Sequence, residues 1–208
     1  RQAIRNHLED GGTLSKEQLV GQFNNHFANK PQYRLLTQSL SSLPDYTSTI
    51  EAIDHIEHGV VKSLDTEAMR CITKYSLQTG KAVALSPWAS LEMLFALWRN
   101  VAMINEIAQV YGCRPSLMSR YSQFRQVAYH LAFIGGTEMV IDYLSESTLT
   151  TITSIASARI TQGIGAGVYT ARIGMAAMEL SRPIEFTDLN RPKLKSFLSL
   201  LVGKLKSQ

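Results

Sequence analysis

Helix start and stop signals recur along this chain at helical intervals, whereas the alternation of apolar and polar residues that marks strands is rare. Ser15 and Gln18 form a capping-box pattern that opens a helix. Ser86 followed by Pro87 opens a longer one, which Gly112 ends. The sequence therefore predicts an all-α fold, a multi-helix bundle of about eight to ten helices.

Two breaks are expected inside predicted helices. A helix over residues 47–63 is followed by a second helix, capped by Asp65, that reaches residue 84. A helix to about residue 161 is interrupted by Gly163, Gly165 and Gly167, and a helix rich in small residues then runs to residue 180. Small residues at this spacing let helix backbones approach closely, in membranes or in tight bundles. We favour dense packing in a water-soluble bundle.

The positive charge is concentrated at the C terminus. The chain has 21 Lys and Arg against 17 Asp and Glu, and five of the basic residues follow the last acidic one, Asp188. Nucleic-acid binding needs a broader basic face, so this distribution favours an anionic membrane surface or an acidic partner. Apolar density rises after Pro44. We divide the chain into a polar segment 1–43, a main helical domain 44–190 and a basic amphipathic helix 191–208.

The last helix carries an apolar stripe flanked by lysines. Such a helix can lie on a bilayer or in a partner's groove, or dock on its own domain with its lysines in water. Docking is the favoured interpretation; membrane binding, partner binding and self-association into a homo-oligomer stay open. The residues expected at a membrane or partner contact are Lys193, Lys195, Phe197, Leu198, Leu201, Lys204 and Lys206.

Three apolar stretches, residues 82–98, 127–144 and 164–180, approach the length of a membrane span. Each is short and contains charged residues, so we interpret them as core helices, with re-entrant hairpins as the alternative. Their charges either reach out from helix edges or pair internally, as Arg172 would with Glu92 or Glu138. The residues considered for internal polar pairing are Glu92, Arg99, Glu138 and Arg172.

The most enzyme-like cluster is Glu51, His55 and His58, which share one helix face. Imidazole and carboxylate at this spacing can share a divalent metal, but the favoured interpretation is a solvated polar face. The sequence contains no P-loop, no Gly-x-Ser-x-Gly elbow and no His-Glu-x-x-His motif. We therefore assign no catalytic residue, metal or cofactor, and expect a non-enzymatic protein.

A set of short motifs occurs in a characteristic order: Leu85-Ser86-Pro87, Trp98-Arg99-Asn100, Tyr111-Gly112-Cys113-Arg114-Pro115, Thr170-Ala171-Arg172-Ile173-Gly174 and Arg182-Pro183. Over residues 45–190 the chain resembles the C-terminal region of the YcjF family of bacterial inner-membrane proteins. The resemblance implies transmembrane helices before this chain and a place for it on the cytosolic side of the inner membrane. It also implies a partner, a YcjX-type GTPase-like protein, and supplies no catalytic residues.

The expected function is thus a non-enzymatic cytosolic scaffold or regulator of that GTPase-like partner, in envelope stress. The alternative is a membrane-surface or lipid-binding module acting through the basic C-terminal helix. Neither depends on nucleic acid.

Overall fold

A computed structural model describes residues 4, 14–44, 47–85, 89–113, 155–187, 190–192 and 194, with the backbone alone at 89–94 and 155–159. All regular structure in these ranges is helical, which confirms the all-α class. In chain order the helices are α1 (Lys16–Phe27), α2 (Tyr33–Ser41), α3 (Thr49–Ile56), a π-helix (Glu57–Val61), α4 (Lys62–Leu85), α5 (Ala89–Val110) and α6 (Ile155–Ser181).

The capping box predicted at the start of α1 is confirmed. The Ser15 hydroxyl accepts from the backbone N–H of Gln18 at 3.2 Å, and the Gln18 side chain accepts from the Ser15 N–H at 3.2 Å. These two bonds satisfy donors that a helix start leaves open. From there Leu19, Phe23 and Phe27, spaced four apart, are buried on one face.

The predicted break before Asp65 is wrong: α3, the π-helix and α4 form one continuous helix from Thr49 to Leu85. Instead of ending the helix, the π-helix adds a residue to one turn. The consecutive residues Val60 and Val61 are both fully buried. Gly59 lies so close to α2 that a Cβ would stand 2.5 Å from the Ser39 hydroxyl oxygen. Asp65 lies inside this helix and does not cap it, so its carboxylate can accept hydrogen bonds from other parts of the chain.

The predicted interruption at Gly163, Gly165 and Gly167 is also wrong, since α6 runs unbroken through all three. Each glycine weakens a helix by about 1 kcal/mol, and packing against α4 offsets that cost. A Cβ at Gly163 would meet the carbonyl oxygen of Gly80 at 2.5 Å, and one at Gly167 would meet that of Ser76 at 3.0 Å. The small residues therefore serve close approach of two helices, which supports the dense-packing interpretation.

Helices α4, α5 and α6 form the centre of the described bundle. Contacts of Gly174 with Ile72 and of Gly163 with Gly80 show that α6 runs antiparallel to α4. Met103 of α5 lies against Gly174 as well, so the three helices share one interface. The α1–α2 pair packs at the end where α4 begins and α5 ends. The largest fully buried apolar side chains are Leu19, Phe27, Leu36, Ile56, Ile72, Met103, Ile107, Tyr111, Met178 and Ile184.

The described residues contain five continuous helical stretches, fewer than the eight to ten predicted for the chain. The predicted helix over 115–134 lies outside them, as does the one over 193–206 apart from Leu194. Among the helices that are described, none combines the length and the apolar character needed to cross a bilayer.

Candidate functional site

Arg182 follows α6 directly and lies at the centre of the most extensive polar cluster in the described structure. Its side chain is only 2% exposed. Its Nε donates to both carboxylate oxygens of Asp65 at 3.1 Å, and its Nη2 donates to Glu57 at 2.9 Å. A buried guanidinium needs such partners, because an unpaired buried charge is strongly destabilising.

The two carboxylates come from different parts of the long helix. Glu57 opens the π-helix and Asp65 follows in α4, with side chains 18% and 17% exposed. Asp65 also accepts from the Tyr111 hydroxyl at 2.7 Å. Burial, together with the Asp65 charge and hydrogen bond, raises the pKa of Tyr111, so this hydroxyl stays a donor. Burial opposes the charge on Arg182, but its two carboxylate partners outweigh burial and raise its pKa.

The segment after α6 is attached to the same guanidinium. Arg182 Nη1 donates to the carbonyl oxygens of Ile184 at 2.6 Å and Glu185 at 3.1 Å. The Phe186 ring stacks on the guanidinium, with its centroid 4.2 Å away. Asn190 donates to Glu57 at 2.6 Å. Arg182 and its two carboxylate partners therefore connect the π-helix, α4, Tyr111 just after α5, residues 184–186 and Asn190.

A surface cleft of about 700 Å³ opens beside this cluster. Apolar side chains, acidic groups and one exposed lysine share its wall. Its lining consists of Asp54, Glu57, His58, Lys62, Asp65, Thr66, Met69, Met178, Arg182, Phe186, Thr187, Asn190 and Pro192. Most of the charged groups on this wall are already bonded within the protein.

The structure places Glu51, His55 and His58 in three separate arrangements. The Glu51 carboxylate accepts from the backbone N–H and the hydroxyl of Ser48 at 2.9 Å, which holds its pKa below the usual value. His55 Nε2 lies 2.9 Å from the Ser39 carbonyl oxygen, and His58 lies 3.2 Å from Asp54. In the described residues no group of three or more His, Cys, Asp or Glu is arranged to hold a metal ion.

Arg99 lies over an aromatic ring. Its guanidinium carbon is 4.4 Å from the centroid of Tyr75. Arg172 is half-buried in α6. The pairing of Arg172 with Glu92 or Glu138 stays a prediction, because the side chain of Glu92 and all of Glu138 lie outside the described residues.

The residues predicted to contact a membrane or a partner, Lys193, Lys195, Phe197, Leu198, Leu201, Lys204 and Lys206, also lie outside the described residues. Their neighbour Leu194 packs against the hydrophobic core. Just before it, Arg191 donates to Glu179 of α6 at 2.9 Å. The chain is thus held against the bundle at the point where the predicted amphipathic helix begins.

In the sequence, Arg182 stands out only as part of the motif Arg182-Pro183. Its carboxylate partners are 117 and 125 residues away along the chain, so no local spacing could reveal the cluster. The sequence feature that points to the cluster is an arginine directly after an apolar helix, because a charge in that position needs a partner.

Comparison with known proteins identifies the family. Residues 48–207 match the family described as a domain of unknown function, DUF697. A UPF0283 membrane protein of Proteus mirabilis, PMI1371, is 39% identical over 80% of this chain and 48% of its own length. A UPF0283 membrane protein of Actinobacillus succinogenes is 34% identical over 92% of this chain and 53% of its own. A UPF0283 membrane protein named YcjF, from Salmonella choleraesuis, is 38% identical over 75% of this chain and 44% of its own length.

The chain spans about half the length of the curated relatives it matches. No solved structure matches it. The match of residues 48–207 covers more than half of the chain, and the relatives carry the name that the motif order pointed to. The chain therefore belongs to the DUF697 family, and its relatives are the UPF0283 membrane proteins, among which YcjF is one.

Proposed function

We propose that this chain is a non-enzymatic cytosolic domain of an inner-membrane protein that acts as a scaffold or regulator of a YcjX-type GTPase-like partner, in envelope stress. The resemblance supplies the partner class and the cellular side. The names of the relatives call them membrane proteins, which supports the location at a membrane.

The observation that supports a binding role is the cleft beside Arg182. Its walls are held by Arg182, which is bonded to Asp65, Glu57 and the segment after α6. A rigid, partly apolar cleft of about 700 Å³ can receive several side chains of a partner without reorganising. Lys62 on its wall is exposed and provides a cation for an acidic group of that partner.

The test is co-purification of the whole membrane protein with the YcjX-type protein in GTP, in GDP and without nucleotide. We expect binding that depends on the nucleotide. Lys62→Glu should weaken it roughly tenfold, because it reverses a charge in the contact. The matched control, Lys81→Glu, lies about 28 Å further along the same helix and should bind as the unaltered protein does. No binding in any nucleotide state would end the proposal.

The relatives' naming as membrane proteins also supports the second candidate, a membrane-surface module that acts through the basic C-terminal helix. Lys204→Glu together with Lys206→Glu should abolish salt-sensitive sedimentation with anionic vesicles, since each lysine near such a surface contributes about 1 kcal/mol. The control pair is Arg34→Glu with Lys81→Glu. Equal sedimentation of both double variants would contradict this candidate.

A further inference from the structure

The surface cleft of about 700 Å³ lies where the described chain leads into the amphipathic helix predicted over residues 193–206. Pro192 lines the cleft, and Leu194, two residues further on, packs against the hydrophobic core. Just before them, Arg191 is held to Glu179 of α6 by an ion pair of 2.9 Å. The predicted helix therefore begins at the rim of the cleft, and its first apolar residue already contacts the bundle.

The cleft and the predicted helix match in length. One wall of the cleft follows the long helix from Asp54 to Met69, a distance of about 22 Å at the rise of an α-helix. Residues 193–206 span about 21 Å at the same rise. A helix of this length can lie along the whole wall.

Both surfaces also carry apolar side chains that need a cover. Met69, Met178 and Phe186 contribute such side chains to the cleft. Six apolar residues share one face of the predicted helix: Leu194, Phe197, Leu198, Leu201, Val202 and Leu205. Ser196 and Ser199 lie on the opposite face. Burial of the apolar face in the cleft removes both apolar surfaces from water, which is the main driving force for docking a helix.

The charges of the two surfaces are complementary. Among the residues that line the cleft, the carboxylates of Asp54, Glu57 and Asp65 outnumber the two cations, Lys62 and Arg182. The Asp54 side chain is 71% exposed, so it can be reached from outside. Residues 193–206 carry four lysines and no acidic residue. Attraction between these lysines and the acidic wall adds to the apolar contact and favours this surface over others.

We propose that the predicted helix over 193–206 binds in this cleft, with its apolar face against Met69, Met178 and Phe186 and its lysines at the acidic rim. A partner protein has to displace the helix before its own side chains enter, so the helix lowers the affinity for that partner. This competition rests on the proposed function. The docking does not, because it takes place within one chain.

The test places the photo-crosslinking residue p-benzoylphenylalanine at Thr66, an exposed residue of the cleft wall. The full-length protein is purified, incorporated into phosphatidylcholine vesicles and irradiated, and the crosslinked peptides are mapped by mass spectrometry. The expected product joins Thr66 to residues 193–206 and has the mass of a single chain. The control position is Gln78, exposed about 18 Å further along the same helix, which should give no such product.

Two matched double variants show whether the apolar face makes the contact. Leu198→Asn with Leu201→Asn should reduce the crosslink roughly tenfold, because it places polar groups on the docking face. Ser196→Asn with Ser199→Asn puts the same side chains on the opposite face and should crosslink as the unaltered protein does. Thermal unfolding of each variant checks that the bundle is intact. Adducts only to lipid or to a second copy, no adduct, or equal yields from the two double variants would overturn the proposal.

Co-purification with the YcjX-type protein tests the competition. Leu198→Asn with Leu201→Asn should raise the affinity for that protein roughly tenfold, and the paired serine variant should leave it unchanged. If the YcjX-type protein binds and the asparagine variant at the two leucines binds it no more tightly, the competition is refuted.

The docking and the proposed function can fail separately. If the YcjX-type protein binds in no nucleotide state while the crosslink forms and depends on Leu198 and Leu201, the proposed function falls and the docking stands. If that protein binds but Thr66 gives no crosslink to residues 193–206, the docking falls and the proposed function stands.

Discussion

At the scale of single residues, Arg182 combines almost complete burial with two carboxylates, two carbonyl oxygens and an aromatic ring. Such a cluster is not by itself a large source of stability, because desolvation of its charges offsets their attraction. Removing one member of the cluster is strongly destabilising, because the remaining charges stay partly buried without a partner.

Arg182→Met, which keeps the size and removes the charge, should lower the free energy of unfolding by about 3–5 kcal/mol because Asp65 and Glu57 lose their partner. Urea denaturation measures the change. In the control, Arg191→Met, the lost ion pair with Glu179 is exposed, and the loss should stay below about 1 kcal/mol. If both variants lost the same free energy of unfolding, the buried cluster would contribute no more to stability than the exposed ion pair.

His26 makes stability depend on pH. Its ring is partly buried, with Nε2 2.8 Å from the Tyr111 carbonyl oxygen. Burial lowers its pKa, and the favourable hydrogen bond to Tyr111 compensates only in part. Because the unfolded chain takes up the proton first, the neutral ring contributes stability that is present above pH 6.5 and is lost as the pH falls toward the lowered pKa.

The free energy of unfolding should therefore decrease between pH 7 and pH 5, and His26→Gln should remove part of that decrease. Urea titrations at three pH values measure both. His58→Gln serves as the control, because His58 is exposed. A pH dependence that is the same with and without His26 would contradict this assignment.

At the scale of elements, the contact between α4 and α6 depends on glycine at defined positions. Gly163→Ala should lower stability by about 1–3 kcal/mol, because its Cβ would meet Gly80 at 2.5 Å and Ala84 at 2.8 Å. Gly165→Ala, two residues further on, meets nothing within 4 Å and should raise stability by up to about 1 kcal/mol. Thermal unfolding compares the two, and the same sign for both would be inconsistent with this packing.

The start of the long helix depends on a second capping box. The Ser48 hydroxyl accepts from the Glu51 N–H at 3.3 Å, and Glu51 accepts from the Ser48 N–H at 2.9 Å. Ser48→Ala should lower stability by about 1 kcal/mol. Thr37→Ala removes an exposed hydroxyl bonded only to carbonyls of its own helix and should change stability little. Chemical denaturation distinguishes the two variants.

At the scale of the whole molecule, contacts cross the predicted boundary at Pro44. Gln32 donates to the carbonyl oxygens of Gln109 and Val110, at the end of α5, at 2.8 and 2.9 Å. His26 bonds to Tyr111, and Phe27 lies beside Gly112, whose φ of +73° ends α5 as its sequence predicts. The division into segment 1–43 and domain 44–190 stays a prediction.

We expect α1 and α2 to unfold together with α4 and α6, because they bury their apolar faces in the same core. Native-state hydrogen exchange should give similar opening free energies for amides in α1 and α4. Gln32→Ala should lower both by a similar amount. Opening of α1 several kcal/mol below that of α4 would indicate a separate unit instead.

Local signals determined much of this protein. The all-α class, the capping box at Ser15 and the helix end at Gly112 follow from hydrogen bonds and backbone preferences that act within four residues. The motif order was sufficient to identify the family. The helical class and the two helix ends depend on neighbours in the chain, which is why the sequence by itself decided them.

Only the tertiary structure decided the continuity of the long helices and the position of the buried charges. Glycine disfavours a helix locally, so Gly163 and Gly167 predict an interruption. The helix continues through both because the backbone of α4 packs closely against them. Asp65 is a residue type that often caps helices, yet it lies inside one, where its carboxylate accepts from Arg182, 117 residues away. Burial and charge pairing depend on which distant side chains meet, and local sequence does not contain that information.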